Sequence, residues 1–230
     1  MIRQIQKSLK SLSSFVDKQN IFVFYTPPRN ERTEKKLEKY ATIIKAENKT
    51  TPFVFDPLLG PGNYGEKIHL CKMDTPSVIF LDCDTIIKKD ITELLEEDFN
   101  FYGRLGGCNK DINWDLWKRY CLKQNKPARE IFNTGFMIFK NYTHQKIKEE
   151  WEKFIEAGIP KIHPHTYTKE EYALSLALPE KNIKHMTEKE HSFLWQDETE
   201  IDTYVLHGYR RTRLRRLNVR VRSLKYKIFA

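Results

Sequence analysis

The stretch Val78-Ile-Phe-Leu-Asp82-Cys-Asp84-Thr85 decides the fold of this 230-residue chain. Four consecutive apolar residues are typical of a buried strand in a parallel or mixed sheet, and two carboxylates stand where the strand ends. In open α/β sheets, ligands bind beyond the carboxyl ends of the strands. Paired carboxylates at that edge are costly unless a cation neutralises them, and Mg²⁺ or Mn²⁺ prefers oxygen ligands. The stretch therefore predicts an α/β fold with a divalent metal at Asp82 and Asp84; the plainer interpretation is a turn that Asp84 or Thr85 caps.

Strands and helices alternate on both sides of this stretch. The pattern predicts strands at 21–25, 52–55, 77–81, 99–102, 131–139 and 203–206, and helices at 33–47, 66–73, 114–122, 144–157 and 169–178. The alternation through the first hundred residues favours parallel strands with crossover helices, whereas the second half is mixed.

The ends of the chain differ from its body. Length fits one domain, which we place at 1–209 with an amphipathic helix at 1–18 that either packs on the body or lies in a membrane interface; packing is favoured. Nine basic residues from Arg210 to Lys227 equal the whole net charge of +9, and no acidic residue follows Asp202. The tail at 210–230 is therefore a candidate contact for nucleic acid, an anionic membrane or ligand phosphates.

The composition favours a cytoplasmic protein. The sequence shows no signal peptide and no apolar run long enough to cross a membrane. Its four cysteines form no CxxC pair, and Cys83 stands in an apolar strand context, so we expect reduced thiols. The basic tail is the candidate for peripheral contact with the inner face of a membrane.

Further polar residues follow other apolar runs. Asn133 offers donors and acceptors to hydroxyl groups, and Gly135 lets a ligand or another backbone approach the strand; the alternative is a core strand with a bulge. His207 follows an apolar strand, and its neutral imidazole could complete a metal site or simply form a hydrogen bond. Glu170 and Glu171 begin a helix, where acidic residues suit the helix dipole without any catalytic role.

In their order along the chain, these motifs resemble the GT-A glycosyltransferases, and among them the glycogenin and bacterial galactosyltransferase-like group known as family 8. The matching motifs are Lys67-Ile-His-Leu70, Asp82-Cys83-Asp84, Asn133-Thr-Gly135, Glu170-Glu171 and Val205-Leu-His207-Gly208. The resemblance implies a GT-A fold, with a Rossmann-like mixed sheet flanked by helices. It also implies metal-dependent transfer of a sugar from a nucleotide sugar, with a UDP-sugar as the expected donor and retention at the anomeric carbon.

The resemblance also implies roles for single residues. It places Mn²⁺ or Mg²⁺ on Asp82, Asp84 and His207. It implies catalytic positions near the sugar for Asn133, Glu170 and Glu171. The remaining contacts to the donor that it implies are Tyr25, Thr26, Lys67, Cys83, Gly135, Gly208 and Arg210.

Two of these assignments stay open. Tyr25 could stack on a base or belong to the core. The family has a spaced glycine and a lysine after its histidine, whereas here Gly208 is adjacent and Arg210 or Arg211 stands nearby. An arginine can grip phosphate, so which basic residue holds the diphosphate is undecided.

The expected partners are the nucleotide sugar and a saccharide, lipid-linked or protein acceptor. One alternative is a sugar-nucleotide nucleotidyltransferase, but the expected glycine-rich loop is replaced by Tyr25-Thr-Pro-Pro-Arg29. A second is a nucleic-acid-binding module led by the basic tail, which leaves Asp82 and Asn133 unexplained. If the reaction inverts the anomeric carbon instead, Glu170 or Glu171 is the candidate general base.

Overall fold

A computed structural model describes residues 2–47, 54–56, 60–62, 64–110, 112–157, 169–194 and 202–208. The strands are β1 (Phe22–Tyr25), β2 (Thr42–Lys45), β3 (Val54–Asp56), β4 (Gly60–Gly62), β5 (Val78–Leu81), β6 (Thr85–Ile87), β7 (Phe101–Leu105), β8 (Phe132–Phe139), β9 (Ile183–Met186), β10 (His191–Phe193) and β11 (Val205–His207). The α-helices are α1 (Ile2–Leu12), α2 (Glu31–Leu37), α3 (Trp114–Lys123), α4 (Thr143–Lys146), α5 (Lys148–Ala157) and α6 (Lys169–Ala177). The 3₁₀ segments are Lys18–Asn20, Tyr64–Lys72, Ile91–Leu95 and Gly107–Lys110. Within these ranges, no helix has the length and apolar character that crossing a bilayer requires.

The central sheet has the strand order β5-β8-β7-β9. Strand β8 pairs antiparallel with both β5 and β7, and β9 runs parallel to β7. Because successive side chains of a strand point to opposite faces, Phe136 and Ile138 of β8 enter one apolar cluster, while Met137 and Phe139 enter another. Helices α5 and α6 contribute to the second cluster, so β8 is buried on both faces.

A smaller sheet has the strand order β10-β11-β6, and its strand β6 follows β5 in the chain. Strand β11 is parallel to β10 and antiparallel to β6, with His207 directly opposite Thr85. This pairing brings the last described strand beside the turn that holds Asp82 and Asp84.

The predicted helix at 33–47 is wrong beyond its first turns. Helix α2 begins at Glu31, where the Asn30 side chain accepts a hydrogen bond from the Thr33 amide, and ends at Leu37. Residues 42–45 instead form β2, which pairs parallel with β1. The Thr42-Ile-Ile run is β-branched, and such residues fit a strand better than a helix when a partner strand is at hand.

Other predicted elements differ in detail. The predicted parallel arrangement is wrong for β3, which pairs antiparallel with β4, and for β5, which pairs antiparallel with β8. Strand β1 is parallel to β2, a strand that the sequence pattern did not predict. The predicted helix at 66–73 is the 3₁₀ segment Tyr64–Lys72, and that at 144–157 is divided into α4 and α5. Of the strand predicted at 52–55, residues 54–55 belong to β3, and 52–53 lie outside the described residues.

Helix α1 packs on the body of the protein. Leu9 is buried in an apolar cluster with Ile21 and Leu37. The Ser11 hydroxyl accepts a hydrogen bond of 3.0 Å from the Ile87 amide, and the Ser8 hydroxyl lies 3.2 Å from that of Thr85. The helix therefore supports β6 immediately after Asp84.

Leu9→Ala should lower the free energy of unfolding by about 2–4 kcal/mol, because it empties a buried site at this contact. Urea denaturation measures the change. Lys10→Ala is the control on the exposed face of the same helix and should stay within about 0.5 kcal/mol of wild type. Equal effects of the two substitutions would contradict the packing.

Candidate active site

The two aspartates lie in the turn that joins β5 to β6. The Asp82 amide donates to the Gly135 carbonyl at 2.7 Å, which continues the pairing of β5 with β8. The Asp82 carbonyl accepts from the Thr85 amide at 3.2 Å and from its hydroxyl at 2.8 Å. These bonds fix the turn. The Thr85 hydroxyl donates instead of accepting, and Thr85 begins β6, so it does not cap the following segment as the plainer interpretation had it. Cys83 is exposed in this turn, which corrects its expected apolar setting.

His207 completes a cluster with both carboxylates. Its Nε2 lies 3.4 Å from Asp84 Oδ1 and 3.6 Å from Asp82 Oδ2. One ligand atom from each of the three residues lies within 4.8 Å of the others. Two carboxylate oxygens and one imidazole nitrogen suit a divalent cation, so these residues could hold the predicted metal.

The contacts of Asp84 determine its pKa. Burial raises the pKa of Asp84, but the hydrogen bond to His207 and the charge of that ring outweigh it, so the Asp84 pKa lies below its ordinary value. Asp84 is therefore ionised at neutral pH, as a metal ligand must be.

Gly135 makes room for the His207 ring. A Cβ atom at position 135 would lie 2.0 Å from Cε1 and 2.6 Å from Nδ1 of His207. No ordinary contact is so short, so any side chain here must displace the ring. The close approach predicted at Gly135 is thus made by a histidine from another sheet.

Gly208 holds the other side of the turn. Its amide donates to the Asp84 carbonyl at 3.1 Å. Its φ of 86° lies in the left-handed region that glycine adopts without strain. Gly208 therefore ties the end of β11 to the turn that holds Asp82 and Asp84, and Arg210 lies outside the described residues.

His191 lies beside His207, and no sequence motif selects it as a site residue. Its Nε2 is 3.1 Å from Nδ1 of His207, and the two rings are nearly parallel, at 18°. Burial, followed by the charges of His207 and Arg104, holds the pKa of His191 well below its ordinary value. A lone histidine in a three-residue strand carries no sequence signal of a contact with His207.

Lys67 lies beside the same turn and contacts three elements. Its Nζ lies 2.7 Å from the Thr134 hydroxyl, 3.3 Å from an Asp82 carboxylate oxygen and 3.3 Å from Glu170 Oε1. Burial lowers the pKa of Lys67, but the charges of Asp82, Glu170 and Glu171 more than offset this and raise it above its ordinary value. Lys67 is therefore a buried ammonium that pairs with carboxylates, not a solvated lysine.

The two glutamates of α6 are buried beside Lys67. Glu170 Oε1 accepts from the Thr134 hydroxyl at 2.7 Å, and Glu171 Oε1 accepts from Asn133 Nδ2 at 2.9 Å. The Cys108 thiol lies 3.6 Å from Glu171 Oε2. Their burial argues against a role limited to the helix dipole, because both carboxyl groups have specific partners away from solvent.

The surroundings of Glu171 raise its pKa. Burial and then the Glu170 charge raise the pKa of Glu171 to about 8, against the lowering effects of Lys67, Cys108 and Asn133. Asn133 fixes this carboxyl, and its own Oδ1 accepts from the Gly135 amide at 2.9 Å. The sequence predicted Glu171 and Asn133 as site residues but could not predict Cys108 as their neighbour.

Tyr25 and Thr26 lie at the carboxyl end of β1, in the sheet that β1 forms with β2. The Tyr25 hydroxyl accepts from the Asn30 amide at 2.9 Å. His69, from the segment that carries Lys67, stacks on Phe24 with ring centroids 5.8 Å apart. This contact links β1 to the site, and the proposed base-binding role of Tyr25 stays a prediction.

Comparison with known protein families identifies the family of this chain. The sequence profile described as Glycosyl transferase family 8 matches residues 4–189. The chain belongs to glycosyl transferase family 8. No curated protein sequence matches it. His207 lies beyond the matched residues, so its place in the cluster comes from the tertiary structure.

Solved structures of other glycosyltransferases share the fold. The galactosyltransferase LgtC, in complex with donor and acceptor sugar analogs, has a TM-score of 0.60 at 12% identity over 90% of this chain and 82% of its own. GlyE of Streptococcus pneumoniae TIGR4 has a TM-score of 0.59 at 15% identity, over 92% of this chain and 52% of its own. Mouse xyloside xylosyltransferase 1 has a TM-score of 0.52 at 14% identity, over 90% of this chain and 91% of its own. The predicted GT-A fold and the glycosyltransferase class are confirmed.

Gly135→Ala should weaken Mn²⁺ binding by about 10- to 100-fold, because the added methyl group displaces the His207 ring. Mn²⁺ titration followed by electron paramagnetic resonance measures the affinity. Gly103→Ala is the matched control. Gly103 lies in β7, the neighbour of β8, and its Cβ would crowd Phe101 of the same strand at 2.7 Å. Both variants should lose stability, but a loss of Mn²⁺ affinity in the control would contradict the local explanation.

Glu171→Gln should flatten the pH dependence of stability. The folded pKa of Glu171 is raised from 4.5 to about 8, so its contribution is full below about pH 4.5 and is lost as pH rises towards about 8. We expect the free energy of unfolding of wild type to fall relative to the Gln variant across this window. Urea denaturation at a series of pH values tests this, and the comparison cancels the titration of the histidines. Parallel curves would show that Glu171 is not the group responsible.

Proposed function

We propose that this enzyme transfers a sugar from a nucleotide-diphosphate sugar, with a UDP-sugar as the expected donor, to an acceptor hydroxyl with the help of a divalent metal. The observation that carries the proposal is the cluster of Asp82, Asp84 and His207 at the end of β5. LgtC, whose fold this chain shares, binds donor and acceptor sugar analogs, which supports the same pair of ligand classes here.

The formal charge of the site favours a divalent ion. Asp82, Asp84 and Glu170 bring three negative charges, and the Lys67 ammonium brings one positive charge. With His207 neutral, as a metal ligand must be, two negative charges remain. Mn²⁺ or Mg²⁺ held by Asp82, Asp84 and His207 balances them and, when bound, supplies positive charge for the donor diphosphate.

We assign separate roles in binding and transfer to the residues around the cluster. Lys67 orders the turn by holding Asp82 and Thr134, and it adds positive charge next to the diphosphate. Asn133 and Glu171 form a fixed, hydrogen-bonding surface for the sugar. Glu170 places a carboxylate near the positive charge that develops in an oxocarbenium-like transition state.

The contacts of the glutamates bear on the stereochemistry of the reaction. An inverting reaction needs a free base that takes the proton of the acceptor hydroxyl. The raised pKa of Glu171 disfavours its carboxylate form, and Glu170 Oε1 is bound by both Lys67 and Thr134. Glu170 Oε2 has no hydrogen-bond partner among the described residues and is therefore the candidate base for inversion. We favour the retaining course because the resemblance to family 8 implies it.

The identity of the acceptor is the least constrained part of the proposal. A saccharide, a lipid-linked sugar or a protein would each offer the required hydroxyl. The basic tail at 210–230 lies outside the described residues, so its contact with an anionic membrane or with nucleic acid stays a prediction. Family membership favours sugar transfer over nucleotidyl transfer.

Asp84→Asn should reduce Mn²⁺-dependent hydrolysis of UDP-sugars by roughly 10²-fold or more, because loss of several kcal/mol of charge stabilisation has that effect on rate. Release of UDP, measured across a panel of UDP-sugars, provides the assay. Asp90→Asn is the control, since Asp90 caps the 3₁₀ segment Ile91–Leu95 and asparagine caps equally well. Full activity of Asp84→Asn with Mn²⁺ present would overturn the proposal.

Product stereochemistry tests the retaining course independently. With the preferred donor and acceptor, the anomeric proton coupling in the NMR spectrum should show the configuration of the donor. An inverted product would contradict retention while leaving the metal site intact.

A further inference from the structure

The contact between His191 and His207 constrains where the protons lie. A neutral imidazole has one N–H donor and one acceptor nitrogen. A histidine that binds a metal through Nε2 must carry its proton on Nδ1. In this structure Nε2 of His207 faces both aspartates, and Nδ1 faces Nε2 of His191 at 3.1 Å.

We propose that His191 is a positioning residue whose Nε2 accepts the Nδ1–H of His207, so that Nε2 of His207 carries the lone pair that binds the cation. The inference rests on the proposed function, because it assigns a role toward the metal. His191 then carries its own proton on Nδ1. It has no contact with the cation and acts only through the His207 ring.

The surroundings of His191 hold its ring in one orientation. Phe193 packs against it with ring centroids 4.5 Å apart, and Phe136 packs edge-on at 5.5 Å. The His191 carbonyl accepts a hydrogen bond from the Arg104 guanidinium. The absence of a side chain at Gly135 leaves room for the His207 ring, since a Cβ there would lie 2.0 Å from its Cε1. His191 and Gly135 therefore both constrain the position of the His207 ring.

Packing alone does not account for a histidine at this position. Its Nδ1 is buried without a hydrogen-bond partner in the described part of the chain. A buried polar group left unsatisfied is destabilising, and an apolar residue of similar volume would avoid that penalty. The contact with His207 is the one feature of the site that an apolar side chain cannot reproduce.

His191→Leu should therefore fold about as stably as wild type in thermal unfolding, because it removes one unsatisfied nitrogen but also removes the acceptor of His207 Nδ1. It should nevertheless bind Mn²⁺ about 10- to 100-fold more weakly in the presence of UDP. His191→Gln keeps a polar acceptor near the position of Nε2 and should restore most of the affinity. Electron paramagnetic resonance of free Mn²⁺ gives each dissociation constant without any activity assay.

His144→Gln is the matched control. His144 is also fully buried, its Nδ1 also lacks a partner among the described residues, and its Nε2 bonds to the Met73 carbonyl away from the aspartates. This variant should bind Mn²⁺ as wild type does. An equal loss of affinity in His144→Gln would overturn the proposal by showing a general effect of losing a buried histidine.

Long-range ¹H–¹⁵N NMR spectra of the wild-type protein with Mg²⁺ and UDP test the protons directly. Nδ1 of both His207 and His191 should be protonated. A proton on Nε2 of His207, or wild-type affinity in His191→Leu, would overturn the positioning role alone. Failure of the wild-type protein to bind Mn²⁺ would overturn the proposed metal-dependent function and this inference with it.

Discussion

The buried ammonium of Lys67 holds the site together. It joins the end of β5 through Asp82, strand β8 through Thr134 and helix α6 through Glu170. A buried charge is tolerated only when it is paired, and removal of one partner leaves the others uncompensated. The three elements must therefore meet at this point, and their meeting defines the edge of the sheet at which the donor is proposed to bind.

The raised pKa of Glu171 follows from the distribution of charge around Lys67. Lys67 Nζ lies at hydrogen-bond distance from Glu170 and Asp82, whereas Glu171 is bonded to an amide and a thiol. Two adjacent buried carboxyl groups cannot easily both ionise, so the pKa of the one without a cation partner is raised. The proposed donor would therefore meet a charged edge at Lys67 and the aspartates and a hydrogen-bonding surface at Asn133 and Glu171.

The position of His207 depends on the smaller sheet. Antiparallel pairing of β6 with β11 places His207 beside the aspartates, and Gly135 of β8 leaves space for its ring. The N-terminal helix α1 supports β6 from outside through Ser8 and Ser11. The geometry of the Asp82, Asp84 and His207 cluster is therefore set by contacts between segments that are far apart in the sequence.

The sequence by itself determined the strand that ends in Asp82 and Asp84, the amphipathic character of α1 and the order of motifs that indicates family 8. These features are local, since each depends on a short run of residue types. Only the tertiary structure decided that 42–45 form a strand, that β5 pairs antiparallel with β8, and that His191 and Cys108 belong to the site. Those outcomes depend on which distant segments pair and on the space left between them, and neither the periodicity nor the spacing of residues along the chain encodes that directly.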